Sequence, residues 1–172
     1  MNVAVKLAGL GAMHPRLLWD EIAAATAAVL GLSPGGSPAR LQLEFRDIPG
    51  FDSDQLAFEI NAAGIAISHI ARVRRTYEPP RLIELSAVAV AALALYHSGG
   101  HEIVDVAVRG TAADYLVDAA HLPLEVAGRS QRSDFELAWR QKWERLKTRA
   151  AQGFYVCVAE FETPSGRLAS AP

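Results

Sequence analysis

The chain has 172 residues, a length that fits one domain, or one domain with an extension, and excludes two full-sized domains. Hydrophobic residues make up 51% of it and charged residues 21%, which supplies a buried core and excludes a disordered tail. The net charge of -2 excludes a protein that coats nucleic acid or anionic membrane by bulk charge alone.

The first 80 residues predict a small mixed unit. Its predicted elements are a strand over 2–8, a helix over 16–30, and two strands over 41–45 and 56–60 that form a hairpin. Residues 62–75 fit neither the strand period nor the helix period, so both alternatives stay open. We therefore expect residues 1–80 to form an N-terminal extension packed on the rest of the chain.

The remainder predicts an order of helix, three strands, helix and strand. The predicted bounds are a helix over 81–97, strands over 104–108, 114–118 and 122–128, a helix ending near 149, and a strand over 154–161. Ser133 and Glu136 have capping-box spacing at the start of the second helix. We expect residues 81–163 to form the core and residues 164–172, which are small and polar, to be a loose tail.

The helix predicted over 81–97 is the most apolar segment of the chain. It is shorter than the roughly 20 apolar residues of a membrane span, and it carries Glu84 and Ser86. We therefore expect a buried helix and no membrane association. The N-terminus lacks the long apolar run of a signal peptide, and a single cysteine excludes a disulfide framework, so we expect a cytoplasmic protein.

Two carboxylates lie on neighbouring predicted strands. Asp114 and Glu125 are separated by a short turn, so pairing of the strands can bring them side by side. Hard cations such as Mg²⁺ use carboxylate oxygens, often only one or two from the protein, with water and phosphate completing the shell. The alternative is that both face solvent on an ordinary sheet, since alternation alone places them outward.

These residues and the order of elements resemble the PD-(D/E)xK nuclease superfamily. Asp114 lies in the segment GTAADY and Glu125 in LEVAG, and the resemblance covers about residues 81–161, a little under half of the chain. It implies an α/β fold, with a restriction-endonuclease-like mixed sheet flanked by helices. It also implies a Mg²⁺-dependent phosphodiesterase core in which Asp114, Glu125 and Glu84 bind the cation.

The sequence departs from the family pattern at the third motif position. The lysine that usually orients or activates the attacking water is Ala127 here. In some members the basic residue comes from the following helix, where Lys142 and Arg145 are the nearest candidates. The resemblance thus implies Asp114, Glu125 and Lys142 as the catalytic set, and the alternative for Lys142 is a solvated flank of the helix.

Basic residues are concentrated in the same region. Residues 129–149 contain seven positive and three negative side chains, whereas residues 1–60 contain four positive and seven negative ones. We predict that Arg129, Arg132, Arg140 and Arg145 contact nucleic-acid phosphates. The alternative is an exposed charged helix face supported by Glu136–Arg140 and Arg140–Glu144 pairs.

Other motifs give weaker signals. Gly9 and Gly11 match part of a dinucleotide fingerprint, but His14 stands where a third glycine is needed. His97 and His101 are separated by two glycines and lack an evident third zinc ligand. Cys157 lies in the middle of a predicted strand, where an inert buried thiol is the usual finding.

Two functions follow from these patterns. The first is a nuclease-like domain that acts on or beside nucleic acid and cleaves phosphodiesters with Mg²⁺ if it is active. The second is a catalytically silent nuclease-fold protein that serves as a binding or assembly subunit, for which Ala127 is the main argument. The expected partners are nucleic acid in the first case, and a partner protein or a second copy of the chain in the second.

Overall fold

The computed structural model describes residues 2–111, 113–150 and 152–171. Its strands are β1 (Asn2–Lys6), β2 (Ala39–Arg46), β3 (Gln55–Asn61), β4 (Ile103–Val106), β5 (Tyr115–Val117), β6 (Leu122–Arg129), β7 (Phe154–Glu160) and β8 (Ser165–Ala171). Its helices are α1 (Leu10–Met13), α2 (Asp20–Val29), α3 (Ile67–Thr76), α4 (Pro79–Gly99) and α5 (Phe135–Arg149), with 3₁₀ turns at Leu7–Gly9 and Arg132–Asp134. The protein is therefore of the α/β class.

The strands of the described residues form one mixed sheet in the order β1-β3-β2-β8-β7-β6-β5-β4. The β2–β3 hairpin is antiparallel, as predicted, and β1 runs parallel to β3. From α4 onward the predicted order of helix, three strands, helix and strand is confirmed. Within it β4, β5 and β6 are antiparallel neighbours, and α5 connects β6 to the parallel strand β7.

The prediction of a loose tail over residues 164–172 is wrong. Ser165–Ala171 form β8, which lies between β2 and β7 and joins the N-terminal strands to the rest of the sheet. Its small side chains suit a crowded position: a Cβ on Gly166 would lie 2.7 Å from Leu43 and 3.1 Å from the Val158 carbonyl. Small residues that are typical of a loop in isolation here form a strand packed in the middle of the sheet.

α4 is the central helix of one face of the sheet. It packs on β6, β7 and β8, and α2 lies against it. It is long and apolar enough to cross a membrane, but 72% of its most apolar 18-residue stretch is buried within this chain. The prediction of a buried helix is therefore confirmed. Gly128 allows β6 to pass close to it, because a Cβ there would lie 2.6 Å from the Ile83 carbonyl oxygen.

α5 covers the opposite face of the sheet over β6 and β7. Phe135, Trp139 and Leu146 are buried there against Val156 and Val158, and Trp143 packs against the same cluster. The predicted apolar stripe of this helix is confirmed. β6 and β7 therefore lie between two helical layers, and their side chains are buried on both faces.

Two local predictions differ from the structure, and one segment that the sequence left open is resolved by it. α2 begins at Asp20 and not at Arg16, because the chain turns to bury Trp19, whose indole donates to the His14 carbonyl at 2.7 Å. The capping box is not formed, since Glu136 accepts hydrogen bonds from Arg167 instead. The ambiguous segment 62–75 contains α3, which begins at Ile67.

Candidate active site

A groove of about 610 Å³ opens between the first turns of α4, the start of β5, the end of β6 and α5. Four of the predicted site residues line it, namely Glu84, Asp114, Arg129 and Lys142. The remaining lining residues are Pro79, Pro80, Arg81, Ile83, Leu85, Val88, Tyr115, Val126, Ala127, Gly128, Ser130 and Asp134. The sequence thus identified four polar residues that the tertiary structure brings to one groove.

Asp114 and Glu125 occupy neighbouring positions across β5 and β6. The β5–β6 pairing ends at Tyr115 and Leu124, and Asp114 and Glu125 are the next residues beyond that pair. The backbone N–H of Asp114 donates to the Leu124 carbonyl at 2.9 Å, and its Oδ2 accepts from the Val126 N–H at 2.8 Å. The Asp114 carboxylate is therefore held beside the β6 backbone, next to Glu125.

Glu125 is fully buried, so the alternative of a solvent-facing residue is wrong for it. Leu124 and Val126 pack in the cluster under α4, and alternation turns Glu125 toward α5. Its Oε1 accepts from Lys142 Nζ and, at 3.4 Å, from Arg145 Nη1. Its Oε2, also buried, has no hydrogen-bond partner in the described part of the chain.

The pKa of Glu125 is raised above its usual value. Burial is the largest cause, because it disfavours the charged form. The hydrogen bond from Lys142 opposes this effect, while the negative charge of Asp114 adds to it. A cation placed at the unpartnered oxygen would favour the charged carboxylate that burial disfavours.

Lys142 supplies the positive charge beside Glu125. Ala127 lies two residues after Glu125 on β6 and packs in the cluster under α5, so it presents only a methyl group. Lys142 comes from α5 and its side chain is 22% exposed, with its amino group on the Glu125 carboxylate. The alternative of a purely solvated helix flank does not describe Lys142.

Glu84 lies apart from this pair of acids. Its side chain is 62% exposed and forms an ion pair with Arg81 at 3.0 Å on the α4 side of the groove. Within residues 2–111, 113–150 and 152–171, no three His, Cys, Asp or Glu side chains form a group that could hold a metal ion. The chain offers a cation two adjacent carboxylates, Asp114 and Glu125, and not the three that the resemblance implies.

The four predicted arginines are divided between two places. Arg129 lines the groove and donates to the Gly128 carbonyl, and Arg145 contacts Glu125. Arg132 instead donates to Ser165 and lies over the Phe135 ring at 4.9 Å. Arg140 is an exposed residue of α5 that does not line the groove. A single basic track through all four is not formed.

Sequence reasoning missed Tyr115 and Arg81. Tyr115 is partly buried, lines the groove and follows Asp114 in the chain. The pKa of its phenol is raised, first by burial and then by the charge of Asp114, while Arg81 opposes the shift. Tyr115 could have been predicted from strand alternation. Successive side chains of a strand point to opposite faces, so the residue after Asp114 points toward α4.

The histidines of the weaker motifs make their contacts away from the groove. His14 is fully buried, with Nε2 3.0 Å from the Ala92 carbonyl and Nδ1 accepting from the Ile103 N–H at 3.0 Å. His101 bonds to Asp118 at 2.7 Å, and the His97 ring packs against Phe58. Neither the partial dinucleotide motif nor a His97–His101 pair contributes to the groove.

The chain was compared with protein-family models, curated proteins and solved structures, and none of them matches it.

Proposed function

We propose that the chain is a metal-dependent phosphodiesterase domain of the PD-(D/E)xK type, with nucleic acid as its substrate. The observation that carries this proposal is the buried Oε2 of Glu125, which has no hydrogen-bond partner among the described residues and belongs to a carboxylate close to Asp114. A buried carboxylate oxygen without a hydrogen bond is costly, and a bound cation removes that cost.

The topology around the groove supports the same proposal. α4 is followed by three antiparallel strands, by α5 and by a strand parallel to β6, which is the order that the resemblance implies. Asp114 precedes the second of these strands and Glu125 lies in the third. The restriction-endonuclease-like fold is part of the proposal.

The donor set fits Mg²⁺ or Mn²⁺. Both acids are hard oxygen donors, and Mg²⁺ sites use one or two carboxylates together with water and substrate phosphate. The bound cation would stabilise negative charge on the phosphate and lower the pKa of a water molecule. Asp114 and Glu125 are the residues that would hold it.

The other side chains position the two acids and the phosphate. Lys142 holds one oxygen of Glu125, which directs the second oxygen away from the ion pair. The Val126 N–H fixes Asp114 through one carboxylate oxygen. Arg129, on the polar side of the groove, is placed to contact a phosphate.

A second candidate function is a catalytically silent protein that binds a partner. Ala127 favours it, as does the exposed edge strand β4, where Val106 is 58% exposed and Val108, just beyond it, 75% exposed. Exposed apolar residues at an unpaired strand edge are typical of a docking surface. The amino group of Lys142, which lies on the Glu125 carboxylate, supports the first candidate over the second.

The test compares cleavage of single-stranded and duplex DNA and RNA by the wild type, Asp114→Asn and Glu125→Gln, each with Mg²⁺ or Mn²⁺. Asp105→Asn and Glu144→Gln change exposed acids outside the groove and serve as matched controls. We expect cleavage by the wild type and both controls, and a loss of about 100-fold or more in the two site variants.

The same proteins are tested for stabilisation against unfolding by Mn²⁺. No cleavage of any substrate by the wild type, or equal cleavage by the site variants, would overturn the phosphodiesterase proposal. A folded, inactive wild type that Mn²⁺ does not stabilise would favour the silent binding protein.

A further inference from the structure

We propose that the groove accepts an unpaired nucleotide, so that the substrate is a single strand or an unpaired segment and not an intact duplex. This inference rests on the proposed phosphodiesterase function and specifies its substrate class. It follows from the juxtaposition of apolar surface on α4 and β5 with Asp114 and Lys142 in the same groove.

The first argument is the shape of the site. A groove of about 610 Å³ lies within the roughly 300–1,000 Å³ range of pockets that enclose small molecules. A nucleotide that enters such a groove is surrounded by side chains, whereas a duplex presents a phosphate on its outer surface. The volume therefore suits one extruded nucleotide.

The second argument is the chemistry of the two walls. Pro79, Pro80, Ile83 and Tyr115 supply apolar and aromatic surface on the α4 and β5 side, next to the Arg81–Glu84 ion pair. Asp114, Arg129 and Lys142 supply charge on the other. The phosphate of a bound nucleotide would contact the charged side chains. The apolar side chains would contact the nucleotide only if its base stacks on them. In a duplex the bases are stacked and paired, so a base reaches that wall only after it leaves the stack.

The third argument is the distribution of positive charge. Lys142 is engaged with Glu125 and Arg81 with Glu84, while Arg132 and Arg140 lie outside the groove. Proteins that bind duplex DNA through its backbone neutralise many phosphates along a continuous track. The groove instead offers cations to a short stretch of one strand.

The experiment uses one sequence in three forms: a single strand, a fully paired duplex and a duplex with a short unpaired loop, each prepared as DNA and as RNA. We expect the wild type to cleave the single strand and the loop about tenfold faster than the paired strand, since a stacked base contributes about 5- to 100-fold in binding. In the looped duplex we expect the cuts to lie within the unpaired segment.

Tyr115→Ala tests the apolar wall, Tyr115→Phe keeps its ring, and Tyr96→Ala is a matched control at the far end of α4. We expect Tyr115→Ala to raise KM for the single strand about 5- to 100-fold, Tyr115→Phe to raise it less because the ring is kept, and Tyr96→Ala to leave it unchanged. Ile83→Ser provides a second variant of the same wall if Tyr115→Ala does not fold.

The outcomes separate the two proposals. Cleavage of the paired strand at an equal or greater rate, or an unchanged KM in folded Tyr115→Ala or Ile83→Ser, would overturn the unpaired-nucleotide inference and leave the phosphodiesterase function intact. Absence of cleavage in every substrate form would instead overturn the phosphodiesterase function itself.

Discussion

Lys142 of α5 forms an ion pair with Glu125 of β6, a glutamate that is completely removed from solvent. The two residues lie in different elements, and the contact fixes α5 against the sheet beside the groove. Arg145 contributes a second, longer contact to the same carboxylate oxygen. The ion pair therefore has consequences for stability that are independent of any catalytic role.

Lys142→Met should destabilise the fold. It removes the principal hydrogen-bond donor of a buried carboxylate, and such a loss costs about 1–3 kcal/mol in the free energy of unfolding. Arg145 still contacts the Glu125 carboxylate in this variant, so the loss of stability should be smaller than for a buried charge with no partner. Urea denaturation monitored by tryptophan fluorescence measures the change.

Lys147→Met, at an exposed position of the same helix, is the matched control and should stay within about 0.5 kcal/mol of the wild type. In the double variant Lys142→Met, Glu125→Gln we expect part of the lost stability to return, because the buried charge is gone. A Lys142→Met protein as stable as the control would contradict the buried ion pair.

Leu168→Ala tests whether the C-terminal segment is a structural strand. Leu168 is fully buried in β8, and its truncation should cost about 2–5 kcal/mol in the free energy of unfolding. Leu137→Ala makes the same change at a site that is 62% exposed and should cost less than about 0.5 kcal/mol. Equal stability of the two variants would mean that residues 165–171 are not part of the core.

His14 makes folding sensitive to acid. Burial lowers its pKa below the ordinary value of 6.5, while the hydrogen bond to the Ala92 carbonyl opposes this shift. The other ring nitrogen accepts from the Ile103 N–H, as only an unprotonated nitrogen can. As pH falls below 6.5 the unfolded chain binds more protons than the folded one, so stability is full above that pH and declines below it. Burial lowers the pKa of His97 as well, which contributes in the same direction.

The measurement is the free energy of unfolding between about pH 8 and pH 5, above the range in which most carboxylates titrate. His14→Gln should lower stability overall and flatten the decline below pH 6.5, whereas His69→Gln on α3 should keep the wild-type slope. If His14→Gln shows the same slope as the wild type, the burial of His14 does not control the acid response.

Cys157 should be unreactive in the folded protein. It is fully buried in β7, and burial raises the pKa of its thiol to about 12, so the nucleophilic thiolate is scarce. Labelling by a soluble thiol reagent should be about 10³-fold or more slower than in denaturant, because it requires unfolding. Ser37→Cys, in an exposed loop, should label at once, and equally rapid labelling of Cys157 would show that β7 is accessible.

Much of the fold was predictable because its signals are local. Apolar and polar residues alternate along β2 and β6, which predicts strands, and the long apolar run of α4 predicts a buried helix. Both patterns depend only on residues that are close together in the chain. The acids of the candidate site were found in the same way, since a short turn between two strands limits how far apart Asp114 and Glu125 can lie. Lys142 was found from helical spacing and from the absence of a lysine at position 127.

The sequence by itself therefore determined the order of elements from α4 to β7, the β2–β3 hairpin and the closeness of Asp114 and Glu125 around the β5–β6 turn. Only the tertiary structure decided that Ser165–Ala171 form the strand joining the two parts of the sheet, since that pairing involves residues far apart in the chain. It also decided the burial of Glu125, which depends on α5 covering the outer face of β6. Local periodicity specifies what an element is, whereas the neighbours that cover it determine whether a polar side chain meets water, forms an ion pair or is buried without a partner.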